Sequence, residues 1–498
     1  MAVTKDEGDI IQRSMGVFGK WHFWVCIVIF LVKFPVAWHQ LNIVIVAPTT
    51  NFDCSNETID KCSSDCPSHV FDRRIFTETI ITQWDLVCED AYLTNIAQTM
   101  TMLGILVGNV LFGFWSDRAG RRMPMVIAVI IQVVTGTASA FVPWFWFYCV
   151  LRFVVAVATG GTMITSFVLV MELVGTKWRT TVATLYQIPF NLGHLLLAVF
   201  GYWIRDWRYF QLAISIPSVV LISYYWILPE SPRWLLAVGK TEKAIKILEK
   251  AAYHNKLPTA GIEEDVKSYA EKKRNEPKAG GNIVDLFRTS NMRIKTLAIC
   301  FNWAVTGLCF FGVSQYIGLL QVGDMFVNIA ISAAIQVPGT LISIVALEKL
   351  GRKKTLILSN LLGGIPMLLI PAFPVNHFAT PYMAVVGMLG LSIVFPTVYI
   401  YSGELFPTVV RNVGVGTSSM CARIGSIIAP YISTLNLYTA AWVSPVIFGI
   451  LPILSAVVSF WLPETLNCKL PDTIEEAESL TREKKVPVQK ETETETSK

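Results

Sequence analysis

Apolar runs recur along the whole chain, each of about 20 residues and so able to cross ~30 Å of hydrocarbon at 1.5 Å per helical residue. The pattern predicts twelve membrane-spanning helices. The first six cover roughly 21–46, 91–115, 124–142, 144–171, 181–203 and 207–228, and the second six roughly 293–317, 323–347, 354–373, 379–401, 412–437 and 441–462. The polar punctuation between the runs is duplicated. Glu172-Leu173-Val174-Gly175-Thr176-Lys177-Trp178-Arg179 is echoed 232 residues later by Glu404-Leu405-Phe406-Pro407-Thr408-Val409-Val410-Arg411. Asp117-Arg118-Ala119-Gly120-Arg121-Arg122 is echoed by Glu348-Lys349-Leu350-Gly351-Arg352-Lys353, and Pro229-Glu230 by Pro463-Glu464. One punctuation repeated at one period between membrane-length segments is the signature of an internally duplicated transporter.

Composition agrees: 53% of residues are hydrophobic, 15% are charged and the mean hydropathy is +0.51. A net charge of +5, scattered along the chain, gives no footprint for nucleic acid. Basic residues mark the orientation. Arg118, Arg121, Arg122, Lys177, Arg179, Arg352, Lys353, Lys354 and the Lys-rich stretch 240–295 all fall on one side, which the positive-inside rule makes cytoplasmic. An even number of spans then puts both termini inside. The expected organisation is a cytoplasmic start (1–20), a first six-helix half (21–228), a cytoplasmic inter-half segment (229–292), a second half (293–462) and a cytoplasmic tail (463–498), whose end is too polar to bury apolar surface. Thr241 to Asn255 reads as an amphipathic helix, with Ala244, Ile247, Leu248 and Ala251 on one face, and Gly261 to Lys278 is helix-permissive. The sequence leaves open whether these pack beneath the halves or only link them.

The one long loop on the opposite side, 47–90, holds nine acidic and three basic residues. It also holds Cys54, Cys62, Cys66 and Cys88, which in an oxidising exterior imply two disulfides, with three pairings open. Asn56-Glu57-Thr58 is the chain's single Asn-x-Ser/Thr sequon and makes Asn56 a glycosylation candidate.

Polar residues deep in a span usually line a cavity, because a charge there costs at least ~2.5 kcal/mol. Arg423 lies at the centre of the eleventh span, where a guanidinium offers a bidentate partner for a carboxylate. Lys33 lies midway along the first span, with His39, Gln40 and Asn42 beyond it; Gln336 precedes Val337-Pro338 in the eighth, and His194 stands in the fifth as a packing residue. Trp38, Tyr186, Trp303, Phe310, Phe311 and Tyr316 are candidate aromatic walls for an ammonium group; Phe310 and Phe311, being adjacent, are not both expected to face inward. Asp117, Arg121, Glu172, Arg179, Glu348, Arg352, Glu404 and Arg411 are candidate gating charges, able to pair in one conformation and part in another. No phosphate-binding loop, His-Glu-x-x-His pattern or nucleophile elbow occurs, so neither ATP-driven transport nor catalysis has a motif, and no cofactor or metal is expected.

These motifs resemble the major facilitator superfamily, notably Gly113-Phe114-Trp115-Ser116-Asp117-Arg118-Ala119-Gly120-Arg121-Arg122, Arg152, Pro229-Glu230-Ser231-Pro232-Arg233-Trp234 and Pro463-Glu464-Thr465. More narrowly, Gln83-Trp84-Asp85-Leu86-Val87-Cys88, Arg205-Asp206-Trp207-Arg208, Leu286-Phe287-Arg288-Thr289 and Gly403 to Asn412 are similar to the organic ion transporters of solute carrier family 22. Members often have six cysteines in the outer loop where this chain has four. The resemblance implies an all-α polytopic protein of the major facilitator fold, working by alternating access in the plasma membrane on small organic ions. It also implies that organic cation carriers have an Asp where Arg423 stands, that anion and carnitine-type carriers have Arg, and that several members are acidic at the position of Gln336. A zwitterion or anion, carnitine-like or amino-acid-like, is therefore the favoured substrate; organic cation carriage is the alternative, and sugar carriage a more distant one. The partners implied are the substrate and membrane lipid, with no nucleic acid. The coupling ion and oligomeric state are not legible.

Overall fold

In hydrocarbon every backbone amide must be bonded within its own segment, so apolar runs of this length become helices. The computed structural model describes residues 10–56, 60–63, 65–274, 283–320, 322–374, 377–407, 410–466 and 468. Among them, eleven helical segments are long and apolar enough to cross a membrane: spans 1 (Lys20–Leu41), 2 (Cys88–Ala119), 3 (Arg122–Phe141), 4 (Phe145–Leu173), 5 (Trp178–Trp203), 6 (Trp207–Ile227), 7 (Ser290–Leu319), 8 (Met325–Leu350), 9 (Arg352–Ala372), 10 (Ala379–Leu405) and 12 (Val443–Trp461). Span 11 (Arg411–Tyr438) is a helix of 28 residues whose serines and Arg423 lower its hydropathy below that of the others. The chain is an all-α, multi-pass membrane protein of twelve spans in two six-helix halves.

Two prolines shape their spans. Pro35 has no amide to offer the Leu31 carbonyl, which accepts instead from Phe34 N at 3.2 Å. Span 1 therefore breaks into Lys20–Phe30 and Lys33–Leu41, with Lys33 at the restart. Pro217 stands where span 6 tightens to a 3-10 helix over Ile216–Ser223.

One end of the bundle carries the disulfide loop. Its strands β1 (Phe52–Cys54) and β2 (His69–Phe71) pair antiparallel, and Cys54 bonds Cys66 while Cys62 bonds Cys88. The loop is tied to the first half where Thr77 N donates to Arg205 O (3.0 Å) and Trp207 N to Glu78 O (3.1 Å). At this loop end the two halves close on each other. Phe326 of span 8 packs against Phe76 of the loop at 5.6 Å and Tyr202 of span 5 at 5.9 Å between ring centroids. The Arg205 guanidinium lies 4.3 Å from the same ring. On the other side of the bundle, Asn95 Nδ2 of span 2 donates to Thr434 Oγ1 of span 11 at 2.8 Å.

The opposite, basic end carries the inter-half helices Pro232–Ala237, Thr241–His254 and Ile262–Arg274. Ala244, Ile245, Leu248, Ala251 and Ala252 are the buried face of the middle one. They pack in one apolar cluster with Ile11, Met15 and the ends of spans 1, 3 and 4, so this segment lies beneath the first half. Asn255 fixes it there: its Oδ1 accepts from Trp21 N at 2.9 Å and its Nδ2 donates to Met15 O at 2.8 Å. The end of the tail, 469–498, lies outside the described residues.

Candidate functional site: a cationic cavity between the halves

Eight of the twelve spans bring side chains together around a cavity between the halves, which with its open mouth encloses about 1040 Å³. Spans 1, 2, 4 and 5 contribute Lys33, Gln40, Asn109, Met163, Phe167, Tyr186, Phe190 and Asn191; spans 7, 8, 10 and 11 contribute Trp303, Phe310, Phe311, Thr340, Ser392, Phe395, Tyr399, Ser419 and Arg423. None of the lining residues is acidic. In spans 4, 5, 10 and 11 these positions fall in the half of the helix nearer the basic end, so the cavity is displaced away from the closed loop end. Phe167 and Tyr399 meet across the halves at 5.0 Å between centroids and narrow it on the basic side.

The two cations differ in how they are held. Restarting the helix at Lys33 places its ammonium 4.1 Å from the Tyr186 ring centroid and 5.8 Å from that of Phe190, an arrangement in which the ring quadrupole attracts the charge. Tyr186 is itself fixed by a 2.5 Å hydrogen bond with Ser166. Arg423 is 7% exposed; among the described residues its one polar contact is Nη2 to the Met163 sulfur at 3.7 Å, and its Nε is buried without a hydrogen-bond partner there. Gln40 Nε2 and Asn109 Oδ1 are likewise buried and unmatched. Unpaired buried polar atoms carry an unmet desolvation penalty, which a ligand in the cavity would relieve.

Of the residues singled out from sequence, Arg423, Lys33, Gln40, Tyr186, Trp303 and Phe310 line the cavity. Other candidates lie elsewhere: Asn42 Nδ2 donates to Gln211 Oε1 at 3.1 Å, and His39 is buried outside the lining. Tyr316 is buried against Phe448 at 6.5 Å, a few turns towards the loop end. Trp38 donates its indole N–H to Gly193 O. Gln336 sits behind the wall, its Nε2 3.1 Å from His194 Nδ1 and its carbonyl accepting from the lining residue Asn191. These bonds join span 5 to span 8, so His194 packs at the junction of the halves. The expectation that Phe310 and Phe311 could not both face inward is wrong: both line the cavity, their rings edge to face at 5.3 Å, because the cavity is broad enough to expose two adjacent positions of span 7. Sequence reading passed over Asn109, Asn191, Ser419 and Tyr399. The criterion that found Arg423, a polar residue deep in a span, also applies to the two asparagines.

At the basic end the duplicated charges bond across spans within each half. Arg121 Nη2 reaches Glu172 Oε1 at 2.8 Å and its Nη1 reaches Asp117 Oδ1 at 2.8 Å. Arg352 Nη2 reaches Glu404 Oε1 at 2.7 Å. Glu230 accepts from the Arg121 amide and Glu464 from the Arg352 amide, both at 2.8 Å. The symmetry is incomplete. Glu348 is exposed and makes no ion pair among the described residues, and the second Glu404 oxygen accepts from Thr465 instead. Arg179 is half-buried with its Nε unmatched, and Arg411 donates to the Phe406 carbonyl.

Residues 25–476 match the family model "Sugar (and other) transporter". The chain is 37% identical, over 85% of its length and 78% of the relative's, to the "Organic cation transporter protein" of Drosophila melanogaster. It is 38% identical, over 81% and 73%, to "Solute carrier family 22 member 6-A" of Xenopus laevis, and 35% identical, over 82% and 74%, to "Solute carrier family 22 member 13" of Homo sapiens. The inward-open xylose transporter XylE from E. coli superposes with a TM-score of 0.70 over 92% of this chain and 99% of its own, at 19% identity, a likeness of fold. The chain belongs to solute carrier family 22 of the major facilitator superfamily.

Proposed function

We infer that the protein is a secondary carrier of small organic ions in the plasma membrane, with both termini cytoplasmic, and that its substrate carries a carboxylate, as an anion or a zwitterion. One observation carries this reading: two buried cations and no acid line a single cavity between the halves. Buried charges without counter-charges are costly, and a carboxylate lodged near Lys33 and Arg423 would supply what the protein lacks. The Tyr186–Phe190 corner already holds the Lys33 ammonium. The aromatic surface left for the rest of the substrate is that of Trp303, Phe310, Phe395 and Tyr399. Lys33 and Tyr186 belong to one half and Arg423 and Trp303 to the other, so a ligand touching both sets interacts differently with open and closed arrangements, as alternating access requires. Asn56, exposed on the loop, is the proposed glycosylation site.

Uptake of labelled carnitine, benzoate and tetraethylammonium into cells expressing the chain, with and without Arg423→Asp, tests the assignment. Wild-type uptake of a carboxylate, lost at least tenfold in Arg423→Asp at equal surface level, is the expected result; a wild-type preference for tetraethylammonium would overturn it and favour the organic cation reading.

A further inference from the structure

A second cavity, of about 580 Å³, lies at the loop end, where the disulfide loop roofs the seam between the halves. The loop contributes Leu86, the short helix Ile43–Val46 after span 1 contributes Val44, span 2 contributes Asn95, and spans 7 and 11 contribute Leu319, Gln315 and Thr434. The lining differs from that of the central cavity in having no charged residue at all. Its polar atoms are amides and hydroxyls. Asn95 Nδ2 is committed to Thr434 across the seam (2.8 Å), and Gln315 Oε1 accepts from Ser433 (3.1 Å), which orients the Gln315 amide group.

We propose that this cavity is a binding site for an uncharged, largely apolar small molecule bearing one hydroxyl or carbonyl group, held at the Gln315 amide. Absence of charge removes the attraction that organic ions find in the central cavity, and the cost of desolvating an ion against apolar walls disfavours them here. Burial of a neutral cage or ring against Val44, Leu86 and Leu319 removes apolar surface from water and is favourable. The walls come from the loop and from both halves, so the site is complete only while the seam bridged by Asn95 and Thr434 is shut. A ligand there binds one conformation better than the other and holds the carrier in it. Such a ligand, acting from the loop side, lowers the maximal transport rate without competing at the central cavity.

The test uses the full-length chain purified in detergent, with 1-adamantanol as the uncharged probe and thermal unfolding as the readout. The expected result is a saturable rise in melting temperature that Arg423→Gln leaves intact and that Thr94→Phe, which fills the cavity from its span 2 wall, abolishes. Should Thr94→Phe fail to fold, Ala91→Phe fills the same space from the first turn of span 2. No saturable shift in wild type, a shift lost in Arg423→Gln, or a shift unchanged in a folded cavity-filling variant would each overturn the proposal.

Discussion

The Lys33 ammonium lies 4.1 Å from the centroid of the Tyr186 ring, inside a cavity that offers it no carboxylate. The tyrosine face is thus the partner that makes a buried lysine tolerable, a desolvated cation–π contact being worth ~2 kcal/mol. Tyr186→Ala should raise KM for a carboxylate substrate about tenfold or more and lower the melting temperature, while Tyr186→Phe, which keeps the ring, should stay within about threefold of wild type. Concentration-dependent uptake of benzoate by the two variants checks this; equal loss in both would assign the role to the hydroxyl and its Ser166 bond instead.

Glu172 and Glu404 hold corresponding arginines, yet the neighbouring acids Asp117 and Glu348 do not correspond. The Asp117 side chain is 71% exposed although bonded to Arg121, and exposed pairs contribute ~0–1 kcal/mol. Glu172→Gln takes from Arg121 its less exposed carboxylate and Glu404→Gln takes from Arg352 its carboxylate partner, a loss of ~1.5–3 kcal/mol. Uptake normalised to surface protein should therefore fall several-fold or more in these two variants and stay within about twofold of wild type in Asp117→Asn and Glu348→Gln. A large effect of Glu348→Gln would show that this acid finds a partner in another state of the cycle.

Gly120 and Gly351 have φ of +95° and +90°, and a side chain at either would meet the Glu230 or the Glu464 carboxylate. Both strain and steric conflict oppose substitution, at ~1–3 kcal/mol for the backbone alone. Gly120→Ala and Gly351→Ala should each lower the melting temperature of the purified protein, whereas Gly403→Ala, which meets open space, should not.

In the disulfide loop, the 2.9 Å hydrogen bond that His69 Nδ1–H donates to the Asp85 carboxylate raises the imidazole above its ordinary pKa. The folded loop binds the proton more tightly than the unfolded one, so this contribution is full below about pH 6.5 and fades as pH rises through the raised folded value. Protease cleavage within 47–90 should be slower at pH 6 than at pH 8.5 after correction for the protease's own pH response. His69→Asn should remove the difference; its persistence would place the pH response elsewhere in the loop.

The duplicated motifs, the span count and the side of each loop were legible because they depend on hydropathy and local charge, which the membrane reads segment by segment. Arg152 and Arg423 show where that legibility stops. Each is a lone arginine deep in an apolar span. Arg152 is spent on neutral acceptors, with Nε on Thr101 Oγ1, Nη1 on Tyr148 OH and Nη2 on Gln98 Oε1 at 3.0–3.1 Å. Arg423 keeps its Nε unmatched and faces the cavity. Depth in a span singled out Arg423, and the resemblance placed Arg152 among the family motifs, but neither said which guanidinium would lack a protein partner. Gln336 and Tyr316 were misplaced for the matching reason: a helix has several faces, and composition does not say which one meets the other half.

The sequence by itself determined twelve spans, their twofold repeat and the chemistry available in each, since burial in lipid enforces helices wherever twenty apolar residues adjoin. Tertiary structure alone decided which cysteines pair, that the inter-half helices dock beneath the first half, that the loop end is shut by Phe326, and which of the buried cations lacks a protein partner. Those outcomes rest on contacts between residues hundreds of positions apart, whose geometry no local pattern encodes.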